Sequence, residues 1–319
     1  MELIHAHQLS FPELRAEQFD VLIAASGYET RCIELTSKMS IKKNAQKYVL
    51  AFKEKTKDSK RKANDKFFSK AGFHSITVSG EDKKELHVLL DKIFNRSREK
   101  EIKIFVDYSS MTKMWYAAIL EYLMEKELPI DKIDIYFGYT PAKYVPPRNV
   151  KHLKNASPIM GEETISTSYK PIALVLGLGY EPQRAEFMVK KVQPNKIIIL
   201  YPDPGFEMEY VGLIKKNNQK LVESLPPENI YCYSIRSLES IDSMLTSIAL
   251  QLRLKYRIII APLGPKPFSL LSILLGIRYP DIQIWRASAG KKEFKYEREP
   301  FGDPLIYRCS FHVEGFTYH

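Results

Sequence analysis

The sequence predicts an α/β fold: two tandem Rossmann-like domains with mainly parallel sheets, which arose by internal duplication. Three observations lead to this prediction: apolar runs of strand length, helical periodicities between those runs, and landmarks that recur in one order. Continuous apolar runs are typical of strands buried on both faces, as in parallel sheets covered by helices. Strands that alternate with helices then indicate the α/β class.

Eight apolar runs are predicted strands, four in each half of the chain. They are FDVLIAAS, KYVLAF, KIFVDY and IDIYFGY, followed by IALVLGLG, KIIILYP, YRIIIAP and IQIWRAS. Two further stretches have the apolar spacing of one helix face. Their apolar positions are Leu86, Leu89, Leu90, Ile93 and Phe94 in the first, and Ile241, Met244, Leu245, Ile248 and Ala249 in the second.

Landmarks in the two halves match at a nearly constant separation. ASGYETRCIEL and GLGYEPQRAEF share Gly-Tyr-Glu, then an arginine and a second glutamate, and Gly27 and Gly179 are 152 residues apart. Lys113 and Lys266, each at the start of an apolar helix pattern, are 153 residues apart. Four landmarks in one order with one separation indicate a duplicated domain.

The duplication sets the expected domain organisation. We expect the first copy over residues 1–150, a polar, turn-rich linker over residues 151–171, and the second copy over residues 172–319. The aromatic and basic C-terminal region is expected to form a strand extension of the second copy.

Composition predicts a soluble cytoplasmic protein. The chain is 45% hydrophobic and 27% charged, and no apolar run approaches the roughly 20 residues that span a bilayer. The N-terminus lacks the pattern of an export signal. Cys32, Cys232 and Cys309 are far apart and have no Cys-x-x-Cys spacing, so we expect reduced thiols. No metal site, cofactor or membrane contact is predicted.

The net charge of +10 favours an anionic partner. Half of the excess lies in residues 53–70, where eight Lys or Arg stand against three acids. This run has two interpretations. It is either a solvated loop leading into a helix or a phosphate-attracting flap for a nucleotide or a nucleic acid.

The repeated Gly-Tyr-Glu motif follows the first strand of each copy, where open parallel sheets bind ligands. Arginines of this motif can pair a phosphate, glutamates can accept from a ribose hydroxyl, and tyrosines can stack on a base. The alternative is a Glu–Arg ion pair that closes the loop. The candidate residues are Ser26, Gly27, Tyr28, Glu29 and Arg31 in copy one, and Gly179, Tyr180, Glu181 and Arg184 in copy two.

The stretch VDYSSMTK is the second candidate element. Its Ser110-x-x-Lys113 spacing fits a serine nucleophile, a phosphate cradle or a structural turn. Copy two keeps the lysine as Lys266 but has Gly264 where the methionine stands and no matching serine, and this difference favours the cradle. Asp107 is expected to cap the turn, and a ribose contact or a metal ligand is the alternative.

The motif Asp-Tyr-Ser-Ser-Met-Thr-Lys-Met resembles the Asp-x-Thr-Gly-Gly-Thr-Lys-x-Met motif of CRISPR-associated Rossmann-fold (CARF) domains. The related SAVED domains look like two such units fused in one chain. The resemblance implies a pocket for cyclic or linear oligonucleotide second messengers in antiviral defence. Ser110-Met111 replaces the Gly-Gly of the family. The matching residues are Asp107, Ser109, Thr112, Lys113 and Met114, with Gly264 and Lys266 in copy two.

Three functions remain open from the sequence. The first is a nucleotide- or oligonucleotide-binding sensor that acts through a protein partner or as a homo-oligomer, with strand-end loops of both copies lining its pocket. The second is an enzyme on a nucleoside or phosphoribosyl substrate, in which Asp107 and Glu29 act on the sugar and Lys113 holds phosphate. The third is a subunit of a nucleic-acid complex that binds through residues 53–70.

Overall fold

The computed structural model describes residues 1–39, 41–54, 56–97, 99–146, 153–161, 170–181, 183–288 and 297–313. The chain forms two compact units. Unit 1 comprises Met1–Lys143 and Tyr296–His319, and unit 2 comprises Tyr144–Lys295. Unit 2 is therefore inserted into the sequence of unit 1.

In the described part of its first pass through unit 1, the chain forms six strands and five α-helices. The strands are β1 (Glu2–Leu9), β2 (Val21–Ser26), β3 (Gln46–Phe52), β4 (His74–Val78), β5 (Glu101–Asp107) and β6 (Lys132–Tyr139). The helices are α1 (Phe11–Ala16), α2 (Glu34–Lys38), α3 (Ser59–Lys70), α4 (Lys84–Arg96) and α5 (Lys113–Glu125), and Thr30–Ile33 forms a short 3-10 helix.

Unit 2 and the return to unit 1 complete the chain. The strands of unit 2 are β7 (Asn155–Pro158), β8 (Ile172–Gly177), β9 (Lys196–Pro202), β10 (Ile230–Tyr233), β11 (Arg257–Pro262) and β12 (Gln283–Ser288). Its helices are α6 (Arg184–Val192), α7 (Met208–Asn217), α8 (Gln219–Glu223), α9 (Leu238–Arg253) and α10 (Lys266–Arg278), with a 3-10 turn at Pro227–Asn229. After unit 2, strand β13 (Leu305–His312) belongs to unit 1.

The parallel strands of the two sheets have the same order. The parallel strands of unit 1 follow the order β4-β3-β2-β5-β6, and those of unit 2 follow β10-β9-β8-β11-β12. In each unit the first strand of the repeat lies between the second and the fourth, which is the Rossmann-type order. The prediction of two Rossmann-like α/β domains is therefore confirmed, and the shared order agrees with a duplication. All eight predicted strands are present.

Two predicted boundaries are wrong. Strand β13 does not extend the second copy, because it pairs antiparallel with β6 and β1 in the sheet of unit 1. Its residues are almost all buried, as suits an interior strand. The predicted linker, which lies partly outside the described residues, contains β7, and β7 pairs antiparallel with β12 of unit 2.

Helices follow the predicted periodicity. The apolar positions predicted for the first helix face are buried in α4, and all but one of those predicted for the second are buried in α9. Helix α5 is buried from Met114 to Leu123, which explains its apolar composition. Every helix in the described ranges is too short or too polar to cross a bilayer.

Candidate functional site

The candidate site of unit 1 lies at the carboxyl ends of β2 and β5, which pair in parallel. Connections leave these neighbouring strands in opposite directions, and such a switch point is where open α/β sheets bind ligands. The loop after β2 carries Gly27, Tyr28 and Glu29, and the loop after β5 carries Ser109 and Ser110. A hydrogen bond joins the two loops, because the Ser110 hydroxyl donates to Oε2 of Glu29 at 2.9 Å.

Glu29 is the centre of a charged network. Its Oε2 also accepts from Nε of Arg31 at 2.9 Å, and its Oε1 lies 3.9 Å from Nε of Arg298. The Glu29 side chain is 13% exposed, and that of Arg31 is 3% exposed. Solvent reaches the carboxylate but hardly reaches the guanidinium.

Arg31 ties the loop after β2 to the end of β6. Its Nη1 donates to the Thr140 carbonyl at 3.0 Å and to the Tyr139 hydroxyl at 3.3 Å. Burial lowers the pKa of Arg31, but the Glu29 carboxylate and the Tyr139 side chain outweigh this effect, so the pKa is raised above its ordinary value. A permanently charged Arg31 thus fixes the position of Glu29.

Unit 2 contains the same link. Arg184 forms an ion pair with Glu181 and donates from Nη1 to the Ala287 carbonyl in β12 at 3.0 Å. In both copies the structure contains the ion pair that the sequence left as the alternative for the repeated motif. A phosphate-binding role for Arg31 and Arg184 remains a prediction.

An asparagine that is not among the residues predicted from the sequence holds the glycine loop in each unit. Nδ2 of Asn64 donates to the carbonyls of Gly27 and Glu29 at 2.9 and 3.1 Å. Nδ2 of Asn218 donates to the Gly179 carbonyl at 3.0 Å. The two asparagines are 154 residues apart, close to the repeat separation, and this spacing was the signal that identifies them.

Asp107 and Ser109 shape the loop after β5. The Asp107 side chain is buried, and its Oδ1 accepts from the Ser109 amide at 3.0 Å. This contact is the capping interaction expected from the sequence. The Ser109 hydroxyl accepts from the Thr140 amide at 2.7 Å. Both residues therefore position Ser110 next to Glu29.

Thr112 and Ser26 make structural contacts. The Thr112 hydroxyl donates to the Gly80 carbonyl at 2.9 Å, and the Ser26 hydroxyl donates to Oδ1 of Asp65 at 2.6 Å. These bonds hold the loop after β4 and helix α3 against the site. Thr112 is also the residue before α5, whose first residue is the partly exposed Lys113. The first amides of a helix and an adjacent lysine favour an anion.

The basic run of residues 53–70 becomes a loop and helix α3. Arg61 is buried, and it donates to Asp65 and to the Phe52 carbonyl. The other basic side chains are exposed, namely those of Lys53, Lys57, Lys60, Lys62, Lys66 and Lys70, while Lys55 lies outside the described residues. This arrangement matches the solvated loop and helix. Binding of nucleic acid by this surface stays a prediction.

The corresponding position of unit 2 is closed by its own backbone. A Cβ atom added to Gly179 would lie 2.4 Å from the Leu263 carbonyl oxygen, and one added to Gly264 would lie 2.5 Å from the Leu178 carbonyl oxygen. The loops after β8 and β11 are therefore in direct contact. Tyr180 packs against Tyr210 with ring centroids 5.3 Å apart, and Lys266 begins α10.

Two carboxylates of unit 1 raise the pKa of the same thiol, that of Cys32. Burial raises the pKa of Cys32 strongly, and the charges of Asp107 and Glu29 raise it further. The two carboxylates also bond to adjacent residues, Asp107 to Ser109 and Glu29 to Ser110, although 78 positions of sequence separate them. Within the part of the chain that the structure describes, no cluster of His, Cys, Asp and Glu is arranged to hold a metal ion.

Comparison with known proteins gives little similarity. No protein-family model matches the chain, and no curated protein does. Among solved structures, the chain has a weak likeness to Haemonchus contortus phosphoethanolamine N-methyltransferase 1, solved with phosphoethanolamine and S-adenosylhomocysteine. The identity is 8%, the alignment covers 92% of this chain and 88% of that chain, and the TM-score is 0.22. A likeness of this size carries no argument about function.

Proposed function

We propose that this protein binds a nucleotide or an oligonucleotide at the carboxyl edge of the unit 1 sheet. The hydrogen bond between Ser110 and Glu29 carries the proposal, because it unites two separately recognised motifs at a topological switch point. Glu29 can accept from ribose hydroxyls or base N–H groups. Lys113 and the first amides of α5 favour a phosphate.

The asymmetry of the two units supports one ligand per chain. In unit 1 the strand-end loops meet through polar side chains that include Glu29 and Ser110. In unit 2 the equivalent loops meet backbone to backbone at Gly179 and Gly264. A ligand therefore finds hydrogen-bonding side chains at the switch point of unit 1 and a closed backbone contact in unit 2.

The biological part of the proposal comes from the resemblance to CARF and SAVED domains. It makes the ligand a second-messenger oligonucleotide and the protein a sensor in antiphage defence. Asp107, Ser109, Thr112 and Lys113 occupy the loop that the resemblance assigns to the ligand pocket. A sensor of this kind transmits its signal through a protein partner or another copy of itself.

Thermal unfolding tests the proposal. The wild type, Lys113→Ala and Lys266→Ala are screened with mononucleotides, phosphoribosyl pyrophosphate, NAD, and linear and cyclic oligonucleotides. A ligand at about 100 times its Kd stabilises the folded state by about 2.7 kcal/mol, which raises Tm by several degrees. We expect Lys113→Ala to lose this shift. Lys266→Ala, the matched change in unit 2, should keep it.

The outcomes separate the candidate functions. Absence of a shift with every nucleotide would contradict the proposal and direct attention to the exposed lysines of residues 53–70. Binding through those lysines would weaken steeply with salt, in proportion to the number of phosphates neutralised, and would not depend on Lys113. A shift that Lys266→Ala loses as fully as Lys113→Ala would place the ligand elsewhere.

An enzyme acting on a nucleoside or phosphoribosyl substrate is the second candidate. The observation that favours it is that two carboxylates bond to adjacent serines of one loop, Asp107 to the Ser109 amide and Glu29 to the Ser110 hydroxyl. Two carboxylates in one site can divide acid and base roles on a sugar. Lys113 would hold the phosphate. Turnover of any ligand found in the screen is then measured in Asp107→Ala and Glu29→Gln. Turnover that survives Asp107→Ala contradicts this candidate.

A further inference from the structure

Two chain segments connect unit 1 to the inserted unit 2, and they pair with each other inside unit 1. We call residues 140–143 the exit segment and residues 297–301 the return segment. The Lys143 amide donates to the Glu299 carbonyl at 3.0 Å, and the Phe301 amide donates to the Pro141 carbonyl at 3.0 Å. An antiparallel bridge joins Ala142 to Pro300.

The return segment also contacts the loop that carries Glu29. Oε1 of Glu297 accepts from the Thr30 amide at 2.9 Å and from the Thr30 hydroxyl at 2.5 Å. The Arg31 amide donates to the Arg298 carbonyl at 3.1 Å. The Arg298 side chain approaches the other oxygen of Glu29 at 3.9 Å. Three consecutive residues of the Glu29 loop therefore face the return segment.

The exit segment is tied to the same loop through Arg31. Nε of Arg31 donates to Oε2 of Glu29 at 2.9 Å, and Nη1 of Arg31 donates to the carbonyl of Thr140 in the exit segment. Arg31 thus contacts the exit segment with its side chain and the return segment with its backbone. Since the guanidinium is buried and charged, it cannot release one partner without a cost in free energy.

We propose that Arg298 is a positioning residue for Glu29, and that the candidate site and the two connections to unit 2 form one coupled element. Glu29 is the shared group, because Ser110 and Arg31 bind one of its oxygens and Arg298 faces the other. A ligand that competes for Glu29 or Ser110 changes the contacts of Glu29 with Arg31 and Arg298. Through these two arginines it changes the stability of the exit and return segments. This last step rests on the proposed function, and the coupling itself does not.

Hydrogen exchange of the full chain without ligand tests the coupling. Mass spectrometry follows peptides that cover the exit and return segments in the wild type, Glu29→Gln and Glu181→Gln. We expect Glu29→Gln to raise the exchange rate in both segments by about tenfold, because local opening exposes their paired amides. Glu181→Gln makes the same chemical change in the repeated ion pair of unit 2. It should leave both segments at the wild-type rate.

A reciprocal variant distinguishes local coupling from a general loss of stability. Arg298→Gln should raise exchange in the peptide that covers residues 27–33, where Arg31 and Glu29 lie. Unchanged exchange in a folded Glu29→Gln, or equal acceleration in Glu29→Gln and Glu181→Gln, would overturn the coupling. Since no ligand takes part, a failure to bind nucleotides would overturn the proposed function without changing this result.

Discussion

The Ser110 hydroxyl donates a hydrogen bond of 2.9 Å to Oε2 of Glu29, a residue 81 positions earlier in the chain. This bond connects the Gly-Tyr-Glu motif to the Ser-Ser-Met-Thr-Lys motif, which the sequence presents as separate elements. It also gives the two neighbouring serines different roles. Ser110 faces the carboxylate of the candidate site, whereas Ser109 holds the backbone of the loop after β6.

Alanine substitutions distinguish the two serines. Ser109→Ala removes the acceptor of the buried Thr140 amide, and leaving such a group unsatisfied costs about 1–3 kcal/mol. Ser110→Ala removes a donor from Glu29, which keeps Arg31 as a partner, so we expect a loss below about 1 kcal/mol. Urea unfolding of both variants measures the difference. If the proposed function is right, Ser110→Ala also weakens ligand binding. A larger loss of stability in Ser110→Ala than in Ser109→Ala would contradict these roles.

The glycines of the repeated motif should respond differently to alanine. Neither Gly27 nor Gly179 has a positive φ, so space decides the outcome. A Cβ atom at position 179 would lie 2.4 Å from the Leu263 carbonyl oxygen, whereas one at position 27 would lie 3.4 Å from the Phe52 ring. We expect Gly179→Ala to destabilise the protein by about 3 kcal/mol and Gly27→Ala by less than about 1 kcal/mol. Similar midpoints of thermal unfolding for the two variants would show that the loops of unit 2 can separate.

The sequence predicts the parallel strands at the centre of each sheet, but it predicts neither the outer strands nor the place of β13. The eight predicted strands have continuous apolar runs, and such runs indicate strands of a parallel sheet covered by helices. Strands β4 and β10 are short and half-exposed, so their composition resembles that of loops. The position of β13 depends on pairing with β1 and β6, and nothing in a single strand indicates which sheet it will join.

The sequence identifies the residue types of the site but only some of their partners. It leaves two roles open for Arg31, a phosphate contact and an ion pair with Glu29, and the structure contains the ion pair together with a bond to the Thr140 carbonyl. Because every residue has a backbone carbonyl, the sequence does not indicate which one accepts from Arg31. The sequence does not predict the roles of Glu297 and Arg298, because these residues contact the Glu29 loop across a long separation. Thr30 and Glu297 are 267 positions apart, with all of unit 2 between them.

Thiol reactivity tests the burial of the three cysteines. Cys232 is exposed, and Cys32 and Cys309 are buried. Burial raises the pKa of Cys32, so its reactive thiolate is suppressed as well as shielded. We expect one thiol to react rapidly with an aromatic disulfide reagent in the native protein and three to react in denaturant. Cys232→Ser should abolish the rapid phase, and rapid reaction of a second thiol would show that the core around Cys32 or Cys309 opens.

The acid sensitivity of unit 1 should depend on Asp134, which joins β6 to β13. Its Oδ1 accepts from the Ser310 hydroxyl at 2.5 Å, and its Oδ2 accepts from Nη2 of Arg308 at 2.9 Å. Burial raises the pKa of Asp134, but the bonds from Ser310 and Arg308 outweigh it, so the pKa lies below its ordinary value of 3.8. Because the folded-state pKa is depressed, the charge stabilises the fold above pH 3.8, and this stability is lost as the pH falls through the folded-state pKa.

Asp134→Asn should therefore cost about 2 kcal/mol or more at pH 7 and much less near pH 2. The measurement is the free energy of unfolding in urea at both pH values, with Asp281→Asn as the control. Asp281 also pairs with an arginine, but its side chain is 51% exposed, and exposed pairs contribute little. The difference between wild type and Asp134→Asn should shrink as the pH falls, because protonation removes the same charge from the wild type. An equal difference at both pH values would mean that Asp134 acts through its shape and neutral hydrogen bonds rather than through its charge.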